Sequence, residues 1–252
     1  MINFGSGKLI AVPTNLADGS AIANPTPVVL GILQECTLDM SVDTKTLYGG
    51  NMYPVAVAQG KAKLGIKAKY AEISAGVMGS LFFGQNATNA IKDMALDVTG
   101  SIPATPFTVT PTVPASGTFV ADLGVFDATT GAQYTRVASA PAAGQYSVNT
   151  GTGVYTFAAA DTLKAVTFNF EYTATSTTAQ LFTINNRQMG YTPSFSVMLK
   201  GSYDGKDIVA KFYRGVSSKL ALPFKNEDFS VPDFEADFFA NSAGNVGWIC
   251  LK

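Results

Sequence analysis

The sequence predicts a mainly β protein, and three observations lead to that class. Two stretches, 32–43 and 61–70, alternate apolar and polar residues with a period of two, which is typical of strands with one buried and one exposed face. Short candidate strands separated by Gly, Pro, Asn and Asp turn signals fill most of the remaining chain. Only the stretch 71–84 spaces its apolar residues as a helix does. The 252 residues suffice for one large β domain or two smaller ones.

Composition excludes several classes of function. Charged residues make up 14% of the chain and the net charge is −1, so no overall field attracts nucleic acid or an acidic membrane. The chain contains no histidine, which removes His-based triads, His-ligated metal sites and imidazole acid/base chemistry. Cys36 and Cys250 lie far apart, and we expect buried thiols on separate strands. We expect no metal, no cofactor, no targeting segment and no membrane anchoring.

The first elements are an extended N-terminal arm and a hairpin. Residues 1–31 are predicted to form the arm, with one short strand at Lys8–Val12, pinned by the fold or by a neighbouring subunit. The two alternating stretches follow as hairpin strands, and 44–60 is predicted to be a long loop between them. Loops of that length are uncommon and usually functional. This one holds many apolar residues for a loop left in water, namely Leu47, Tyr48, Met52, Tyr53, Val55 and Val57.

A short helix is predicted over residues 72–83. Ile73, Val77 and Leu81 form one apolar stripe, and Gly84 suits a left-handed position after the helix end. Interior glycines reduce helix propensity by about 1 kcal/mol each, so packing must hold this helix in place. Covering its own sheet is favoured, and contact with a neighbouring subunit is the alternative.

The middle of the chain differs in composition from the rest and is predicted to be an insertion. From residue 101 to residue 180 charged side chains are sparse, and a Pro/Thr-rich linker at 102–114 precedes several short candidate strands. We therefore predict an inserted small β-sandwich module at 101–180, and a main β-sandwich domain formed by 1–100 together with 181–252.

The C-terminal part completes the main domain. Strands are predicted at 195–199, 208–213, 217–222 and 232–238, with a last strand at 247–251. The Asp204-Gly205 pair predicts a tight hairpin turn. Acidic residues line one side of two of the predicted strands, in the rows Glu35, Asp39, Asp43 and Asp233, Glu235, Asp237. Such rows are typical of a solvated strand face, and we expect no catalytic residue among them.

The arrangement resembles the tail tube (major tail) proteins of long-tailed bacteriophages. The resemblance lies in Leu33–Asp43, the Lys45-Thr-Leu-Tyr-Gly-Gly loop, Lys61–Tyr70, the helix ending Leu-Phe-Phe-Gly84, and residues 219–229 with 233–244. The segment 119–173 resembles a module common in phage structural proteins, through Asp122-Leu-Gly-Val, Tyr134-Thr-Arg-Val-Ala, Gly144-Gln-Tyr-Ser-Val and Tyr155-Thr-Phe-Ala-Ala-Ala-Asp161.

This resemblance implies a β-sandwich or barrel with one flanking helix, assembled as six-fold rings that stack into a hollow tube. The tube belongs to the virion tail, is assembled in the host cytoplasm, and lets the genome pass without sequence-specific binding. Its further partners would be tail terminator, tape measure and distal tail proteins.

Two roles are predicted for named residues under that resemblance. The loop 44–60 is expected to pack on the adjacent ring. The two acidic rows are candidates for the channel lining, because a DNA conduit should repel phosphates. The alternative is that Glu35 and Asp39 pair across strands with Lys61–Lys69. The rival class is a β-rich binding or adhesion module for a carbohydrate or receptor.

Overall fold

The computed structural model describes residues 7–72, 75–186, 189–190 and 192–252. The chain is mainly β, with 55% of residues in strands and 6% in helices, which confirms the predicted class. Contacts divide it into two compact units. The first unit comprises residues 1–87 and 182–252, and the second comprises residues 88–181.

The strands, in chain order, are β1 (Lys8–Asn15), β2 (Val28–Leu30), β3 (Leu33–Tyr48), β4 (Pro54–Tyr70), β5 (Ala90–Ser101), β6 (Thr108–Val109), β7 (Thr118–Asp127), β8 (Thr135–Arg136), β9 (Gln145–Asn149), β10 (Val154–Phe157), β11 (Ala165–Thr175), β12 (Ser194–Tyr203), β13 (Lys206–Ala221), β14 (Asp233–Phe239) and β15 (Gly247–Leu251). One helix of two turns, α1 (Val77–Phe83), is π-helical, and two short 3-10 turns lie at Pro114–Ser116 and Ala159–Asp161.

The first unit is built on one large antiparallel sheet in the order β2-β1-β12-β13-β14-β4-β3. The central strand β13 has two partners on the side away from β12. Its second half pairs with β14, and its first half, from Ile208 to Phe212, pairs with β15. The two strands predicted at 208–213 and 217–222 are therefore one continuous strand. Asp204 and Gly205 both have positive φ, 50° and 72°, and form the predicted tight turn.

The predicted N-terminal arm belongs to this sheet. β1 pairs with β12 along most of its length and with β2 on its other side. Leu9, Ala11 and Leu30 are buried. Residues 8–15 and 28–30 therefore form strands within the fold, because their apolar side chains complete its core.

The helix α1 packs against the sheet. Val77 and Leu81 are fully buried with core residues of the sheet, while Ile73 lies outside the described residues. Gly84 ends the helix with φ 60°, and its backbone N–H donates to the carbonyl of Gly79. A Cβ at Gly79 would overlap the ring of Phe182, so a glycine permits this close approach.

The second unit has a three-stranded sheet, β5-β11-β7, and a four-stranded sheet, β6-β10-β9-β8. Their buried aromatic side chains form one core, in which Tyr155 and Phe168 have ring centroids 4.8 Å apart.

The start of this unit differs from the predicted boundary at residue 101. β5 lies within it because it pairs with β11 over nearly its whole length. The chain enters the second unit at Thr88 and leaves it at Leu181, and these two residues form a β-bridge. The N–H of Thr88 donates to the carbonyl of Leu181 at 3.1 Å, and the N–H of Leu181 donates to the carbonyl of Thr88 at 2.9 Å.

Candidate assembly surface

The most distinctive feature of the first unit is the outer part of the β3–β4 hairpin, residues 44–60, which we call the distal hairpin. It was predicted to be a loop, and the structure corrects this. β3 and β4 remain paired as far as Tyr48 and Pro54, so only the turn 49–53 is non-strand. Backbone hydrogen bonds between the two strands hold this segment together although its sequence has no period of two.

The distal hairpin is exposed on both faces. Every residue from 39 to 63 is exposed. The six apolar side chains predicted to contact a partner are all among them. They are Leu47, Tyr48, Met52, Tyr53, Val55 and Val57, and Met40 and Val42 extend the patch toward the body of the sheet. Large amounts of exposed apolar surface are typical of interaction sites, so the distal hairpin is the candidate for one.

Register defines the two sides of the distal hairpin. Val42, Thr44 and Thr46 lie on the side of β3 that faces the core further along the strand. Thr46 pairs with Val57, so Val57 lies on this core side too. Ala56 and Ala58 pair with Leu47 and Lys45 and so lie on the opposite side. That opposite side continues into the charged face of the sheet.

The charged face consists of rows of opposite sign on neighbouring strands. Glu35 and Asp39 lie on β3, Lys63, Lys67 and Lys69 on β4, and Asp233, Glu235 and Asp237 on β14, followed by Lys219 on β13. Three ion pairs join the rows: Lys69–Glu35 at 2.7 Å, Lys63–Asp237 at 3.4 Å and Lys219–Glu235 at 3.2 Å.

These ion pairs bear on the alternatives left open by the sequence. Glu35 pairs across strands with Lys69, and the hydrogen bond from that ammonium raises the lysine pKa. Asp39 instead stands opposite Gly65, and Asp43 is an exposed residue next to the distal hairpin. The two acidic rows are thus separated by a lysine row, and the face is mixed in charge.

Gly65 interrupts the lysine row and leaves a shallow recess of about 130 Å³, lined among others by Asp39, Lys63, Lys67 and Asp237. The lining carries charges of both signs. Such a recess suits water and small ions more than an apolar ligand, since ligand pockets are mostly apolar and larger.

The second unit holds a buried carboxylate for which the sequence predicted no role. The Asp122 side chain is 2% exposed and lies 3.5 Å from the guanidinium of Arg136. It accepts hydrogen bonds from the hydroxyls of Tyr146 at 2.7 Å and Tyr155 at 3.0 Å. Burial, with added contributions from the adjacent carboxylate, raises the pKa of both tyrosines well above 10.0.

A second buried carboxylate, Asp161, lies at the end of a 3-10 turn. It accepts from the ammonium of Lys164 at 2.6 Å and from the backbone N–H of Gly144 at 2.8 Å. Both carboxylates belong to the segments that resemble the phage module. Since their oxygens are engaged by fixed partners, they serve to hold strands and turns together. For Asp122, the sequence signal is an aspartate within an otherwise apolar strand.

The two thiols differ from the expectation of two buried cysteines. Cys36 is partly buried, and burial raises its pKa to about 11. Cys250 is exposed, because β15 is paired on one side only and no described element covers it. The apolar sequence around Cys250 predicted burial that the single chain does not provide.

Within the described residues, no helix is long and apolar enough to cross a membrane. In the same part of the chain, no three side chains of His, Cys, Asp or Glu are grouped to hold a metal ion. No protein-family model and no curated protein matches the sequence.

Proposed function

We propose that this chain is a structural virion protein that assembles into stacked hexameric rings, forming the hollow tail tube through which a phage genome passes. The observation that carries the proposal is the distal hairpin, an exposed two-stranded extension of a packed sheet with apolar side chains on its surface. The resemblance to tail tube proteins supplies the kind of assembly.

The distal hairpin is costly to a monomer. An isolated two-stranded hairpin is marginally stable in water at best, and exposed apolar strands invite association. Docking on a copy in the adjacent ring would remove both costs. The contacts within each ring are a separate matter: they are heterologous, so one mode of contact between neighbouring subunits repeats until the circle closes.

The charged face is the proposed channel wall. It presents five carboxylates, Glu35, Asp39, Asp233, Glu235 and Asp237, against four lysines, Lys63, Lys67, Lys69 and Lys219. Lysines engaged by neighbouring carboxylates attract phosphates less than free lysines do, because counter-charges screen them. Such a wall would let DNA pass without holding it. The tail terminator, tape measure and distal tail proteins would meet the ends or the interior of the tube.

The distal hairpin also offers support for the rival function, a binding or adhesion module. Tyr48 and Tyr53 are exposed there, and exposed aromatic side chains can stack on sugars. A binding or adhesion module would use them on a foreign ligand and would remain a stable monomer or small oligomer.

Sedimentation velocity and negative-stain microscopy of the purified chain test the proposal. Rings or tubes are the expected result, and a protein that stays monomeric at high concentration contradicts it.

A matched variant replaces residues 47–56 with Asn-Gly, joining the paired positions Thr46 and Val57 through a two-residue hairpin turn. Its subunits should fold as the parent does and fail to polymerise. Normal tubes from this variant would refute the role of the distal hairpin.

A further inference from the structure

The outer edge of β15 is an open strand edge next to uncovered apolar side chains. β15 pairs only with β13 among the described strands. Ile249 pairs with the buried Ala210 and therefore lies on the core side of the sheet, as does Leu251, yet these side chains are 43% and 65% exposed. The core side of the sheet thus extends beyond what its own chain covers.

This edge lacks the usual protection against pairing. Open edges in monomeric proteins carry charges, prolines or bulges. β3 has Glu35 and Asp39, and β5 has Lys92 and a bulge at Asp97, where φ is 53°. From residue 240 to residue 251 there is no charge and no proline. An edge with this composition is suited to accept a further strand.

The chain supplies a segment of matching character in the distal hairpin. Beyond Leu64, β4 leaves β14 and pairs only with β3, so its other edge is open. Residues 55–59 of that edge are uncharged and contain no proline, and they match β15 in length. Among the described strands these two edges are uncharged and open over comparable lengths.

From these observations we infer that the Val55–Gln59 edge of the distal hairpin in one copy adds as a strand to β15 of a neighbouring copy. The inference rests on the proposed function and names the acceptor surface for the ring-to-ring contact. Backbone hydrogen bonds along the two edges would hold the copies together, as in other cases of β-strand addition.

The side-chain register fixes which faces meet. Apolar contact requires Val57 beside Ile249 and Leu251 on the core side. Ala56 and Ala58 then lie on the same side as Cys250, whose neighbours in β15 point the other way. Directly opposed residues of paired strands come within disulfide reach, with Cα atoms about 5.5 Å apart.

The native Cys250 allows the proposed contact to be tested by disulfide cross-linking. In a Cys36→Ser background, Ala56→Cys and Ala58→Cys are prepared separately, with Val57→Cys as the matched control on the other side of the strand. Each assembled sample is treated with a mild oxidant and run on non-reducing gels, and its assembly state is measured by sedimentation and microscopy. At least one of the alanine variants should form about tenfold more intermolecular disulfide than the control, since only its thiol shares a face with Cys250. Adding Cys250→Ser should abolish it.

Four outcomes would overturn the inference. Tubes that form without cross-links from either alanine variant would leave the proposed function standing and remove this contact. Equal or greater cross-linking of Val57→Cys would reject the predicted side-chain faces. A disulfide formed within one chain would reject the contact with a second copy. A chain that stays monomeric would overturn the proposed function together with the inference.

Discussion

Replacing two exposed valines of the distal hairpin with threonine should weaken assembly and leave the subunit intact. Val55 and Val57 are 72% and 61% exposed, so a partner would bury most of each side chain. Threonine has the same shape and also favours strands. In water the exchange should therefore change the free energy of unfolding little, within about 0.5 kcal/mol for surface sites.

At a dry contact the same exchange is costly. Burying a hydroxyl without a partner costs about 1 kcal/mol or more for each valine replaced. The two together should weaken addition of each subunit by about 2 kcal/mol, which corresponds to an increase of about thirtyfold in the critical concentration for tube growth. Light scattering and pelleting across a concentration series measure that threshold.

A matched control separates the contact from the chemistry of the exchange. Val29→Thr with Val120→Thr changes two valines that are also exposed, 53% and 41%, outside the distal hairpin. The critical concentration of this control should match that of the parent. An unchanged threshold for Val55→Thr with Val57→Thr would refute the reasoning, and a large fall in its melting temperature would assign the effect to folding instead.

Three further predictions concern the two units and the charged face. Excising residues 88–181 and linking Ala87 to Phe182 by a short Gly-Ser bridge should leave a folded first unit, and the isolated 88–181 segment should also fold. Thermal unfolding followed by circular dichroism should show a cooperative transition for each. A molten first unit would contradict this prediction. The second unit should lose stability as pH rises above 10.0, the unperturbed tyrosine value, because Tyr146 and Tyr155 ionise in the unfolded chain while their raised pKa keeps them protonated in the fold. Urea unfolding of that unit between pH 8 and pH 11 should show a shallower decline for Tyr155→Phe, and an identical decline would argue against the network. Asp39→Lys, which adds a cation opposite Gly65, should leave the subunit folded and should change tube assembly or slow genome ejection; if neither changes, Asp39 does not line the channel.

Strands with one buried face were predictable, and strands with two exposed faces were not. The alternation in 32–43 and 61–70 exists because one side of each stretch meets the core. In the distal hairpin neither side of the strands meets the core, so apolar and polar residues need not alternate. Leu47 and Tyr48, for example, are adjacent apolar residues. β5 was missed for a related reason, because the bulge at Asp97 breaks its alternation.

The exposed apolar residues of the distal hairpin were partly predictable. Apolar residues in a segment without a period pointed to Tyr53 and Val57 as contact residues. The closing apolar strand, by contrast, suggested a buried Cys250, because sequence shows hydrophobicity and not whether the same chain provides the cover. The ion pairs depend on register between β3, β4 and β14, which a local pattern does not determine.

The β-bridge between Thr88 and Leu181 has a consequence for the folding of the first unit. β4 and β12 are separated in sequence by the whole second unit, and closing a flexible loop of about 90 residues would cost about 4 kcal/mol of chain entropy. A second unit that folds by itself brings its two ends within hydrogen-bonding distance. The first unit then closes around a short, pre-formed connection, and its sheet can form almost as if the insertion were absent.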